Sequence, residues 1–122
     1  MATFEQPKTI SDLLLTEVKP GWTKDKADFA AGAEYPLGTV LAKVSGKYQA
    51  LNPAGEGDAK VAHAVAAEDV DALTAITKGT VIARGAAVES TALVWPAGAT
   101  DAQKAAAIDE LNARGIVVRA AL

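Results

Sequence analysis

The sequence predicts a mainly β domain closed by one C-terminal α-helix, an α+β arrangement, on three observations. Short β-branched runs recur between turn residues, the first two joined by Ser45-Gly46. Thr100-Asp101-Ala102-Gln103 reproduces a helix capping box, and Gly115 stands where a glycine just past the last turn would end that helix. Alanine, the commonest residue by a wide margin, inflates the 50% hydrophobic content, and only 5% of residues are aromatic. A chain of 122 residues is therefore expected to hold one domain with one core. With few large apolar groups, the monomer is expected to be modestly stable and to gain burial from partner surfaces.

Residues 1–34 read as an opening arm. They include Pro7 and Pro20, an apolar cluster of Ile10, Leu13, Leu14, Leu15 and Val18, then Pro20-Gly21-Trp22 and an Ala/Gly-rich passage to Glu34. Ile10, Leu13 and Leu14 fit one helical turn, while residues 13–18 fit a strand equally well, and periodicity does not decide over so short a run. Either way the cluster needs a partner. Extended, ~25 residues at about 3.3 Å each reach roughly 80 Å, farther than the domain is wide.

From residue 35 onward the pattern is β-like. Residues 39–44 and 47–51 are expected to pair as a hairpin over Ser45-Gly46, since glycine supplies the positive φ that matches strand twist. Asn52-Pro53-Ala54-Gly55-Glu56-Gly57-Asp58 is turn chemistry and ends it. Residues 61–67 alternate small and larger side chains as a third strand, with His63 on the side of Val61 and Val65. Residues 68–77 fit either an acid-opened helical turn or a solvated loop. Residues 80–84 read as a strand, continued or bulged by residues 85–89, and Leu93-Val94-Trp95 stops at Pro96. The capped helix is expected to bury Ala105, Ile108 and Leu111 and to expose Lys104, Asp109, Glu110 and Arg114, with Glu110 and Arg114 at ion-pair spacing. Residues 116–119 form the closing strand.

The same residues exclude several classes of function. Without cysteine there is no disulfide scaffold, thiolate zinc site, iron–sulfur cluster or cysteine nucleophile. A net charge of −3, from 12 basic and 15 acidic side chains, lacks the basic stripe that nucleic-acid binding needs, so nucleic acid is not an expected partner. No apolar run approaches the ~20 residues of a membrane span, and the first residues lack the basic and apolar regions of a signal peptide, so no membrane partner is expected either. The lone imidazole, His63, is expected as a packed or interfacial side chain rather than a base or ligand. Glu68, Asp69 and Asp71 lack calcium-loop spacing and read as a solvated turn without metal. Gly55-Glu56-Gly57 lacks the Lys-Ser/Thr of a phosphate loop. No nucleophile, base and cofactor set can be named, so neither catalysis nor a cofactor is expected. Trp95, before Pro96 and the capped helix, suits an anchor of helix to sheet or of an interface. Trp22 either fills a pocket on another surface or folds back onto its own subunit.

Tyr35-Pro36-Leu37-Gly38-Thr39-Val40-Leu41-Ala42, the hairpin through Gly46-Lys47-Tyr48, the strand from Ala64 to Ala67 and Lys78-Gly79-Thr80 form an ordered series. Leu93-Val94-Trp95-Pro96, Thr100-Asp101-Ala102-Gln103-Lys104 and Gly115-Ile116-Val117-Val118 complete it. In order and spacing over residues 35–119, the series resembles the lambda-type bacteriophage head decoration protein family. That resemblance implies a small β-clip-like decoration domain over residues 35–122, assembling as homotrimers at threefold sites of the expanded head. It implies a cement on the outer surface of the virion, holding the major capsid protein against internal DNA pressure. It further implies that the N-terminal arm adds β-structure to the capsid protein, a role that falls here on Leu13, Leu14, Leu15, Val18 and Trp22. His63, Trp95 and Pro96 become candidate trimer or core anchors. Two rivals remain on the residues alone: a small β-barrel ligand-binding module with a concave apolar pocket, and a structural subunit of a phage tail or other appendage.

Overall fold

The computed structural model describes residues 14–17 and 20–119. In order these form β1 (Leu14–Glu17), a helical turn α1 (Pro20–Thr23), β2 (Lys24–Phe29), β3 (Ala33–Tyr35), β4 (Val40–Val44), β5 (Lys47–Ala50) and a 3₁₀ turn (Gly57–Lys60). There follow β6 (Ala64–Ala66), β7 (Val70–Ala72), β8 (Thr77–Ile82), β9 (Ala86–Glu89), a second 3₁₀ turn (Ser90–Ala92), α2 (Asp101–Ala113) and β10 (Ile116–Arg119). The domain is thus mainly β with one substantial helix near its C-terminus.

Local chemistry sets the hairpin and the helix. Ser45 and Gly46 both take positive φ, 52° and 81°, as a two-residue turn matching the twist of its strands requires. Behind that turn β4 and β5 pair from Val44↔Lys47 to Leu41↔Ala50. At the start of α2 the Thr100 hydroxyl accepts from Gln103 N at 3.1 Å, and the Gln103 side chain accepts from Thr100 N at 2.9 Å. Two of the amides a helix start leaves without partners are thereby satisfied.

The strands β2-β5-β4-β6-β8 close into a barrel, and β1-β9-β10 form a separate sheet with β9 in the middle. β9 runs antiparallel to β1 and parallel to β10. Every barrel strand contributes to one apolar cluster: Phe29, Tyr48, Leu41, Ala64 with Ala66, and Val81, which places that cluster inside the barrel. A second cluster takes Val40, Val65 and Ile82 from the outer face of β4, β6 and β8 and packs them against Val88, Ile116, Ala107 and Leu111 of the sheet and α2. The expectation of a single core is corrected accordingly: β4, β6 and β8 bury both faces, and one domain holds two clusters back to back. Small side chains on β6 let the barrel close tightly. Gly79 serves the same end, since a Cβ there would meet Val70 Cγ2 at 2.5 Å and Phe29 Cε1 at 2.8 Å.

Several further expectations are corrected. Residues 24–29, expected to belong to the opening arm of residues 1–34, form a barrel strand: β2 pairs with β8 along six residues from Lys24↔Ile82 to Phe29↔Thr77, and Phe29 is fully buried. The Ala/Gly-rich passage concealed this strand because its only large apolar residue is Phe29. Neither reading of residues 68–77 holds, because Val70–Ala72 is a strand paired with Ala33–Tyr35. Residues 86–89 do not continue β8; Gly85, at φ 62°, turns the chain into the other sheet. Val94 makes only an isolated bridge to Thr39. In α2 the buried residues are Ala107 and Leu111, while Ala105 is exposed. An alanine-rich helix does not announce its inner face, because a methyl group costs little on either side. Glu110 does not pair with Arg114; its carboxylate accepts from Ala62 N at 3.0 Å and ties α2 to the approach to β6.

Candidate functional site

One end of the barrel gathers residues from five separate parts of the chain. Trp22 of α1, Asp25 of β2, Lys43 and Tyr48 of the hairpin, His63 before β6, Arg84 after β8 and Arg114 after α2 line an open groove of about 620 Å³. Thr23 positions the Trp22 turn from below: it is buried, its carbonyl accepts from Ala83 N at 2.9 Å and its hydroxyl donates to Gly85 O at 3.3 Å. Arg84 then holds three partners. Its guanidinium donates to both carboxylate oxygens of Asp25, at 3.1 and 2.6 Å, and to Trp22 O at 2.5 Å, and it lies 5.9 Å from the centre of the Trp22 ring. The bidentate contact holds the Asp25 carboxyl below its usual range against a smaller opposing effect of burial.

His63 sits beside this pair. Its ring meets the edge of Tyr48 at 5.9 Å between centroids, and Nε2 lies 3.1 Å from Arg114 Nη1. Burial, then the charges of Arg114 and Lys43, lower the imidazole below its ordinary value, with Asp58 opposing weakly. Burial also raises the Tyr48 hydroxyl, with Asp25 adding to it. Lys43 Nζ stands 5.5 Å from the centre of the Tyr48 ring. The groove is thus a cationic, aromatic surface suited to docking. Its histidine, held below the usual imidazole range, lies within hydrogen-bond distance of Arg114.

The structure brings together two of the residues singled out by sequence, Trp22 and His63, and separates the others. Trp22 folds back onto its own subunit, yet half of its surface is exposed. His63 does not share the side of Val65: Val65 packs in the outer cluster, whereas His63 contacts Tyr48 of the inner one, because the regular strand begins only at Ala64. Trp95 packs, partly buried, against the outer cluster that joins α2 to the sheet. Pro96, also partly buried, accepts from Ala99 N at 3.2 Å in the turn before α2. Leu14 packs against the outer cluster, and Leu15 lies in β1. Leu13 and Val18 lie outside the described residues. Asp25, Lys43, Arg84 and Arg114 carried no sequence signal, for they are scattered charges until the barrel closes.

The three carboxylates of residues 68–71 go separate ways. Glu68 accepts from Thr80 N at 2.8 Å, Asp69 from Leu37 N at 2.7 Å and Asp71 from Leu73 N at 3.2 Å. Among the described residues no cluster of three His, Asp or Glu side chains is arranged to hold a metal ion. The barrel interior is filled by Phe29, Leu41, Tyr48 and Val81, which are 0 to 3% exposed, and the grooves lie outside it.

No curated protein matches the chain. The family model of bacteriophage lambda head decoration protein D matches residues 3–116. On that match, which takes in the barrel, α2 and the first residue of β10, the chain belongs to the lambda head decoration protein family, structural proteins of the outer surface of the phage capsid.

Proposed function

We propose that this protein is a capsid cement that binds as homotrimers at threefold sites of the expanded head and stabilises it against the pressure of packaged DNA. The family match over residues 3–116 carries the reading. The N-terminal arm is the attachment segment, and its apolar residues Leu13, Leu14, Leu15 and Val18 are the ones assigned to the contact with the major capsid protein. The position of β1 supports this: it is an edge strand of the sheet β1-β9-β10, and an edge accepts an added strand through backbone hydrogen bonds. Trimers multiply modest contacts, because once one arm is bound the other two bind at high local concentration. The partners are then the major capsid protein and two further copies, without nucleic acid, and the protein acts by binding and not by catalysis.

The reading is tested by co-sedimenting the purified protein with expanded, undecorated shells of its own phage, with unexpanded shells as control. A chain lacking residues 1–13, which keeps β1 and the barrel, is run alongside. Saturable binding to expanded shells only, weakened in the shortened chain, is the expected result. Folded full-length protein that binds neither shell overturns the decoration reading.

A further inference from the structure

We propose that copies of this chain join head to tail, the acidic end of one barrel seating in the cationic groove of the next. The groove presents Lys43, Arg84 and Arg114 around Trp22, and among its described lining residues Asp25 is the one carboxylate. Since Arg84 engages both oxygens of Asp25, Lys43 and Arg114 leave the groove positive. Past the far end of β8, Glu34, Asp69 and Asp71 line a shallow depression of about 410 Å³ with no cation among its described lining residues. The lysines along β2 and β8 there are engaged elsewhere: Lys78 with Asp28 at 3.2 Å and Lys26 with Glu68 at 3.8 Å. Beside Asp71 the tip residues Leu73 and Ile76 are 53% and 50% exposed, matching the 50% exposed Trp22 of the groove. Each end therefore sets charge of one sign next to uncovered apolar surface, and the signs are opposite, within a chain whose net charge is only −3.

A single chain cannot join its own two ends across β8. Thr77, whose hydroxyl donates to Asp71 O at 3.2 Å, begins β8, and Arg84 follows its end. Thr77 to Ile82 alone spans roughly 17 Å of strand at about 3.4 Å per residue. The complement of each surface is then the other surface on a second copy, a heterologous contact that closes into a ring or runs on as a chain according to the rotation between copies. The copy number of three rests on the decoration reading above; the contact itself rests on the charges and the exposed apolar residues.

The test uses an equal mixture of unlabelled and nitrogen-15-labelled full-length chains, free at millimolar concentration and bound to expanded shells. A zero-length carbodiimide joins a carboxylate to an amine only where the two are in contact. Isotopically mixed peptides joining Lys43 to Glu34, Asp69 or Asp71 are the expected result. Reversing the groove with Lys43→Glu and Arg114→Glu, or the depression with Glu34→Lys and Asp71→Lys, should lower the yield of oligomer at least about tenfold, each variant keeping its circular dichroism. Combining both reversals in one chain should restore it. Absence of these cross-links from free and shell-bound protein alike, or oligomers indifferent to both reversals, overturns the contact. Shells that bind the chain without these cross-links leave the decoration reading standing, whereas that reading falls on its own if expanded shells bind nothing.

Discussion

The indole of Trp22 lies directly over Gly85. A Cβ at position 85 would stand 3.0 Å from Trp22 Cε3 and 3.2 Å from Cη2, and closer still to Cζ3. Gly85 also holds φ at 62°, a backbone conformation that side chains with a Cβ rarely adopt. The glycine thus does two things at once: it turns the chain from the barrel into the β1-β9-β10 sheet, and it leaves the flat space on which the tryptophan rests.

Gly85→Ala is expected to cost about 1–2 kcal/mol from the left-handed backbone alone, and to push the indole off its seat. Trp22 fluorescence, read in a Trp95→Phe background, should shift to the red as the ring becomes more exposed. Unchanged emission would mean that the ring does not rest on Gly85 in solution.

The lowered pKa of His63 makes stability depend on pH. Arg114 carries only donors, so Nε2 of His63 accepts and the ring proton sits on Nδ1. Burial and the charges of Arg114 and Lys43 lower the folded-state pKa below the ordinary imidazole value. The unfolded chain therefore takes up a proton first: the contribution of the neutral ring is whole above about pH 6.5 and is lost as pH falls towards the folded value. Replacing His63 with Gln should shrink the drop in melting temperature between neutral and mildly acid pH. Arg114→Ala should raise the imidazole midpoint in an NMR titration, and a midpoint that stays put would rule out Arg114 as a cause of the depression.

Inside the barrel Gly79 leaves no room for a Cβ against Val70 and Phe29. Gly79→Ala adds one methyl group to a filled interior and is expected to destabilise the domain by about 1–3 kcal/mol through displaced side chains. Chemical denaturation measures this directly. A neutral or stabilising outcome would show that the interior is looser than its 0 to 3% exposures imply.

The elements most legible in the sequence are those whose signals are local. Ser45-Gly46 and the Thr100–Gln103 box specify a turn and a helix start through the φ and hydrogen-bonding chemistry of a few adjacent residues. Strand β2 carries no local signal because Lys24 to Phe29 holds four charged residues and one alanine before a single phenylalanine, and only its six-residue pairing with β8 makes it a strand. The acidic segment from Glu68 to Asp71 reads as a solvated loop for a related reason. Its carboxylates face backbone amides of Thr80, Leu37 and Leu73, and two of those lie far away in the chain.

By itself, then, the sequence determined the class of the fold, its hairpin, its single capped helix and the family pattern of residues 35–119, all of which reside in residue types at short spacing. Tertiary structure alone decided that β4, β6 and β8 bury both faces, that α2 docks through Ala107 and Leu111, and that Trp22, Lys43, His63, Arg84 and Arg114 meet at one end of the barrel. The physical reason is sequence distance. Contacts such as Arg84 to Asp25 and Arg114 to His63 span 59 and 51 residues, and no local preference encodes a meeting that depends on closing the barrel.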